Sequence, residues 1–257
     1  MNKLHVYTHL THTFSEEKTK VIMTIRALTF DTGGTILDWH TGFKTAFKRV
    51  GDRYDIHYDW ASLSNEYRRR TLQKMLNHGE HTPATKNFDD VHAEVLEELV
   101  TELSFDKFTS DDKKSIAWEA LHSLDCWPDF PAALTKLKQR YLCVSFTLLS
   151  YRAIIDTARK NDLAWDAVIS CEGIGKYKVL PDVYLTCADY LQLAPEECCM
   201  VASHNFDLDA AKKCGFKTAF IRRPNEWGHE EPPHKTPSSH HDFVADDFNH
   251  LVIQLNS

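Results

Sequence analysis

No apolar run in this chain approaches the roughly 20 residues that a membrane-spanning helix needs. An excess of positive charge is also missing: the net charge is −7 and the pI near 6.1, which argues against a nucleic-acid surface. The short Arg68-Arg69-Arg70 run therefore reads as a solvated helix face holding one useful arginine. No CxxC pair occurs among the seven cysteines, Cys126, Cys143, Cys171, Cys187, Cys198, Cys199 and Cys214. Their odd number and apolar settings exclude a disulfide framework or a zinc site and predict reduced core thiols in a cytoplasmic protein. None has an activating base nearby in sequence, which disfavours a cysteine nucleophile. Internal repeats are absent, and residues 1–24 carry no long apolar segment, so a secretory signal is not expected there. That extension, with His5, His9 and His12 among Thr and Lys, has no core periodicity and reads as poorly ordered; Met23 is a second candidate start. What remains, 42% hydrophobic and 26% charged residues over 257 positions, is the composition of an ordinary globular protein.

The chain is organised around Arg26-Ala27-Leu28-Thr29-Phe30-Asp31-Thr32-Gly33-Gly34-Thr35. Ala27, Leu28 and Phe30 read as a strand buried on both faces, the habit of a parallel sheet. Ligands of such sheets lie beyond the carboxyl ends of the strands, where Asp31 stands. Gly33 and Gly34 permit a sharp turn and close approach to a bound group. Taken alone, Asp31 is as readily a turn cap as a nucleophile or metal ligand.

Downstream, Phe43, Phe47 and Val50 share one face of a helix from Trp39 to about Arg53. Helical patterning continues from Trp60 to about Leu121, with stripes at Tyr67, Leu72, Met75 and Leu76 and at Val91, Val95, Leu96 and Leu99, separated by a loop over 78–87. His78, His81 and His92 are too dispersed for a metal site. Trp127-Pro128-Asp129 then opens a helix to about Arg140, with Pro128 in its first turn. Strands are expected at 141–148, 167–170, 198–202, 218–221 and 243–245, with helices over 181–191 and 207–214 and at the C-terminus, and a Pro/His/Ser-rich loop over 229–241. Strand–helix alternation of this kind predicts an α/β fold: a doubly wound parallel sheet, Rossmann-like, with residues 39–124 as an inserted all-helical cap on a core of 25–38 and 125–257.

Polar residues fall just after several of these strands: Asp31 and Thr35, Thr147, Lys178, and the run Ser203 to Asp207. In a doubly wound sheet those ends share one edge and can meet in one crevice. With the segments Phe30-Asp31-Thr32-Gly33-Gly34-Thr35, Ile36-Leu37-Asp38-Trp39, Cys126-Trp127-Pro128-Asp129, Tyr177-Lys178, Val183-Tyr184, Val201-Ala202-Ser203-His204-Asn205-Phe206-Asp207 and Phe220-Ile221-Arg222-Arg223-Pro224, the chain from about residue 25 onward resembles the haloacid dehalogenase superfamily, nearest its type II 2-haloacid dehalogenase branch.

That superfamily also holds phosphatases, and chemistry separates the branches. A carboxylate attacking a dianionic phosphate is repelled by several kcal/mol at about 4 Å, which phosphatases of this fold offset with Mg²⁺ and a second acid. The matching positions here are Ser203 and Gly33, so metal ligation and acid catalysis are both compromised. Displacing halide from carbon needs neither, and no metal or other cofactor is expected. The resemblance implies that Asp31 attacks the carbon and forms an ester that water hydrolyses. It implies Lys178 to orient Asp31, Asp207 to hold Lys178 or position water, and Thr35 and Thr147 to donate to carboxylate oxygens. Arg68, with Arg69 as rival, is implied to bind the substrate carboxylate or the departing halide. Tyr184, Ser203, His204 and Phe206 are implied around the substrate. The chain departs from the family at Gly33, where an aromatic is usual, and at Leu148, Ala202 and His204; His204 is read as a donor, a base toward water, or a satisfied polar residue. The expected partner is a small molecule, with neither nucleic acid nor membrane, and a homodimer is expected from relatives. The competing functions are a phosphatase with a metal relocated near Asp209, and a protein that binds ligand without turnover.

Overall fold

The computed structural model describes residues 24–78 and 86–256. Residues 1–23, 79–85 and 257, and with them His5, His9, His12 and His81, lie outside the described residues. The sheet strands are β1 (Ala27–Phe30), β2 (Leu142–Thr147), β3 (Ala167–Ser170), β4 (Cys198–Ala202), β5 (Lys217–Ile221) and β6 (Phe243–Ala245). Their order is β3-β2-β1-β4-β5-β6, every neighbouring pair parallel. This is the doubly wound arrangement expected from the alternation. Its switch point falls between β1 and β4, where the connections diverge to opposite sides and leave a crevice.

β1 is buried along its whole length because it is central and covered on both faces. Phe30 packs edge-on or tilted against Phe130, Trp165 and Phe248, which anchor one helical layer to the sheet.

Between β1 and β2 the chain is helical: α1 (Trp39–Arg53), α2 (Trp60–His78), α3 (Phe88–Glu102) and α4 (Ser110–Lys114), then a π-turn and a 3₁₀-turn to Ser123. Asp38 caps α1 by accepting from Thr41 N at 3.0 Å, and Asn87 and Asp90 form a reciprocal capping box on α3. Phe43, Phe47 and Tyr67 interlock with the buried ring of His92, whose Nδ1 is bonded to Phe88 O at 2.8 Å. His92 is thus a satisfied core histidine. Tyr67 and Met75 of the α2 stripe are buried in this insert, whereas Leu72 and Leu76 are only half-buried and face the core.

The remaining helices are α5 (Phe130–Leu137), α6 (Tyr151–Lys160), α7 (Cys171–Ile174), α8 (Pro181–Tyr190), α9 (Asn205–Lys213) and α10 (Phe248–Leu255). In α5 the first-turn proline is Pro131 and Asp129 is the cap residue, so Pro128 lies before the helix and not within its first turn. Helix α6 was not expected from the sequence: its buried face is only Ala153, Ile154 and Thr157, too short a stripe to read. Helix α9 starts at Asn205, placing Phe206 and Asp207 in its first turn.

Candidate active site

β1 stops at Asp31 because the backbone turns there; Asp31 N still donates to Val201 O at 3.0 Å, while Ile36 N and Leu37 N both donate back to Thr32 O. Gly34 has φ +93°, and a Cβ there would lie 2.0 Å from Glu226 Oε1. Only glycine lets that carboxylate come so near. The turn is also held from outside. Trp127 Nε1 donates to Gly34 O at 2.8 Å, and Arg223, whose Nη1 pairs with Asp129 Oδ2 at 3.0 Å, donates from Nε to Thr35 O at 2.9 Å.

The turn presents Asp31 between two buried cations. On one side Lys178 Nζ lies 3.3 Å from Asp31 Oδ1 and 2.7 Å from Asp207 Oδ2, and Tyr184 OH donates to Asp207 Oδ1 at 2.7 Å. On the other, His204 Nδ1 lies 3.2 Å from Asp31 Oδ2 and its Nε2 3.0 Å from Glu226 Oε1, to which Trp39 Nε1 donates at 2.9 Å. Thr35 Oγ1 donates to the same Oδ2 at 2.8 Å and accepts from Ser203 N at 2.9 Å.

Burial alone would push the Asp31 carboxyl up, but Lys178, His204 and the Thr35 hydroxyl outweigh it and hold Asp31 below the usual carboxylate range. Burial opposes charge on His204 too, yet Glu226 and Asp31 lift its pKa to about 10, so it is an imidazolium at neutral pH. Asp207 is pushed up by burial and by the charge of Asp31, against the pull of Lys178. The result is an ionised Asp31 whose Oδ2 already accepts two bonds, while Oδ1 is held, among the described residues, by Lys178 alone.

Asp31, Thr35, Lys178, His204 and Asp207 therefore converge in one crevice. Ser203 joins them by ordering Thr35, its Oγ 3.2 Å from Thr35 Oγ1. Thr147 does not reach Asp31 among its hydrogen bonds: its hydroxyl pairs with Thr32 Oγ1 and accepts from Leu149 N at 3.1 Å. Tyr184 is fully buried and acts on Asp207, so it is a positioning residue rather than part of the pocket wall. Phe206 stacks on His204, ring centroids 5.4 Å apart.

Arg68, not Arg69, enters the site. Its guanidinium donates to Gly33 O at 3.2 Å and lies over the Trp39 ring, with Nε unpartnered. A Cβ at Gly33 would stand 3.5 Å from it, so the guanidinium occupies the side where the family's aromatic would project. Arg69 instead pairs with Glu66 and Glu230 and covers Trp227.

Glu226 was missed in the sequence. It follows β5 in a segment without periodicity, and only its position just past Arg222-Arg223-Pro224, at another strand end, pointed to it. Around Asp31 the neighbouring groups are cationic or hydroxylic rather than further carboxylates, a donor set that does not suit Mg²⁺. Asp209 makes no contact with Asp31; its carboxylate lies 2.8 Å from His240 and 3.9 Å from His241, a separate acid–histidine group. All seven cysteines are free, and burial raises their pKa values, Cys171 to about 12.

The doubly wound core with its helical insert thus carries an acid–lysine–acid set at its switch point. A profile of the haloacid dehalogenase-like hydrolases matches residues 25–215, and the chain belongs to that family. It is homologous to (S)-2-haloacid dehalogenase 1 of Pseudomonas sp. (strain CBS-3), 30% identical over 207 residues, 79% of this chain and 86% of the relative. (S)-2-haloacid dehalogenase 4A of Burkholderia cepacia is 27% identical over 211 residues, 79% of this chain and 85% of that one. Among solved structures, a defluorinating L-2-haloacid dehalogenase superposes with TM-score 0.85 at 31% identity, covering 91% of this chain and 96% of its own.

Proposed function

We propose that this protein is a 2-haloacid dehalogenase that works through an aspartyl ester, without a metal ion. The observation that carries the proposal is the setting of Asp31: ionised, buried, 3.3 Å from Lys178, with Lys178 and His204 standing between it and the carboxylates of Asp207 and Glu226. Asp31 Oδ1 attacks C2 of the haloacid; the O–C bond forms as the carbon–halogen bond breaks, and halide departs with the electron pair. Arg68, whose guanidinium lines the pocket, takes the substrate carboxylate or the halide. Water then adds to the ester carbonyl carbon. The negative charge that develops on Oδ2 meets Thr35 and the His204 imidazolium, both already aimed at it. Collapse releases the 2-hydroxy acid, regenerates Asp31 and yields one net proton.

Homology to (S)-specific enzymes supports the (S) isomer as substrate, and likeness to a defluorinating enzyme adds fluoroacetate to the acids worth testing. Residues 39–124 serve as cap to a core of 25–38 and 125–257, with 1–24 a separate extension. Free cysteines throughout support a cytoplasmic location, and no described helix is long and apolar enough to cross a membrane. The association state, a homodimer by analogy with relatives, is read by light scattering.

Chloride release from (S)-2-chloropropionate, abolished in Asp31→Asn and indifferent to chelator, is the expected result. Turnover in ¹⁸O-water followed by mass spectrometry of the Asp31 peptide should find label in the carboxylate. Unlabelled Asp31 after many turnovers overturns the ester route.

A further inference from the structure

A cavity of about 610 Å³ opens between α2 and the loops that follow β4 and β5. At its inner end are Arg68, His204 and Glu226, the groups that surround Asp31 and Gly33. Beyond them the walls turn apolar: Leu72 and Leu76 from α2, Phe206 from α9, and Phe220, Pro224 and Trp227 from and after β5. This volume lies in the range that holds drug-sized ligands, far more than a two- or three-carbon acid occupies. Such an acid would leave most of the apolar wall against water.

Cations border the cavity, but each is already neutralised. Arg69 pairs with Glu66 and Glu230, Arg222 with Asp246 at 3.2 Å, Arg223 with Asp129 at 3.0 Å, and Lys235 with Glu231 at 2.7 Å. Arg68 differs: its guanidinium lines the cavity, donates to Gly33 O, and is in salt-bridge contact with no carboxylate among the described residues. The cavity thus offers a free anion-binding head at the inner end and an apolar barrel with no spare charge behind it.

We infer that the preferred ligand is a carboxylic acid with an uncharged hydrocarbon tail of about four to eight carbons, the acid head at Arg68 and the tail between Leu72, Leu76 and Phe206. This rests on the dehalogenase function for the halogen at C2 and extends it to the rest of the substrate.

Binding separates the two. Calorimetric titration of the full chain with 2-hydroxypropanoic, 2-hydroxybutanoic, 2-hydroxyhexanoic and 2-hydroxyoctanoic acids requires no turnover. Dissociation constants should tighten about fourfold per added methylene, the value of burying one CH₂. An octanedioic acid should bind more weakly than octanoic acid, because its second carboxylate meets no free cation. Leu72→Trp, which fills the barrel, should flatten the chain-length series. Equal affinity for the four- and eight-carbon acids, no measurable binding of the eight-carbon acid, or a tighter diacid each overturns the tail site. Should Leu72→Trp fail to fold, the wild-type series alone decides. Halide release from 2-bromopropionate, measured in parallel, tests the dehalogenase function by itself. A steep binding series without halide release upholds the cavity and removes dehalogenation; a flat series with halide release does the reverse.

Discussion

The two flanks of Asp31 are built alike and differ in one property. Each puts a buried cation against the carboxylate, a buried acid behind the cation, and an aromatic donor behind the acid: Lys178, Asp207 and Tyr184 on Oδ1, then His204, Glu226 and Trp39 on Oδ2. Lys178 is charged at any pH at which the protein is assayed, its pKa raised further by Asp207 and Asp31 against the cost of burial. His204 owes its charge to Glu226 and Asp31 and loses it near pH 10. One flank is permanent and the other conditional. On the proposed mechanism the permanent cation meets the oxygen that attacks, and the conditional one meets the oxygen that carries charge when water adds.

The most severe test of this division is removal of the permanent side. Lys178→Met should lower halide release by about 10²–10³-fold, since the attacking oxygen loses its only cation, with no ester accumulating. It should also destabilise the fold by about 3–5 kcal/mol, because Asp207 is left as an uncompensated buried charge. Chloride-electrode rates and a denaturant titration read both. A wild-type rate in that variant breaks the comparison at once.

His204→Gln should behave differently. It leaves Lys178 on the attacking oxygen and weakens the second step, by about 10–100-fold. Rapid-quench kinetics should then show a burst of halide equal to the enzyme present, and intact-protein mass spectrometry an ester on Asp31. Equal slowing of both steps, without burst or adduct, would show that the flanks do not divide the work.

Glu226→Gln sharpens the contrast by pH. The folded pKa of His204 lies above its ordinary value, so its contribution is complete below about pH 6.5 and is lost as pH rises through about 10. Without Glu226 that loss should begin nearer neutrality. The variant should match wild type within a few-fold at pH 6 and lag by about tenfold at pH 9. An unchanged alkaline limb would remove Glu226 from this role.

Smallest are the outer donors. Tyr184→Phe and Trp39→Phe each deprive a buried carboxylate oxygen of one bond, costing about 1–3 kcal/mol of stability. Tyr184→Phe should leave the alkaline limb in place, while Trp39→Phe should move it, measured on the same pH–rate profile.

The two flanks were unequally legible in the sequence. Asp31 and Asp207 stand in short runs beside strand ends that alternation alone can place, whereas Lys178 follows β3 only after the short helix α7, which the sequence did not announce. Tyr184 could be found at its helix position, but not its contact with Asp207 in place of ligand. Glu226 lay in a stretch with no periodicity, and His204 could be listed only as donor, base or bystander. Thr147 was expected to donate to carboxylate oxygens, and its hydroxyl meets Thr32 and Leu149 N instead, a pairing that a strand's residue count does not give. Helix α6 and the true first turn of α5 were lost for a related reason: a short apolar stripe and two nearby prolines admit more than one reading.

By itself, the sequence determined that a parallel α/β sheet would form, that β1 would be buried at its centre, and that an acid would stand at its carboxyl end, because burial and strand–helix alternation are local and periodic. Only the tertiary structure decided which cation meets which oxygen of Asp31, that Arg68 rather than Arg69 would cover Gly33, and that Leu72 and Leu76 would wall a cavity instead of filling a core. Those outcomes depend on how α2 and the loop after β5 approach the switch point, and a distance between segments far apart in the chain leaves no periodic trace in either.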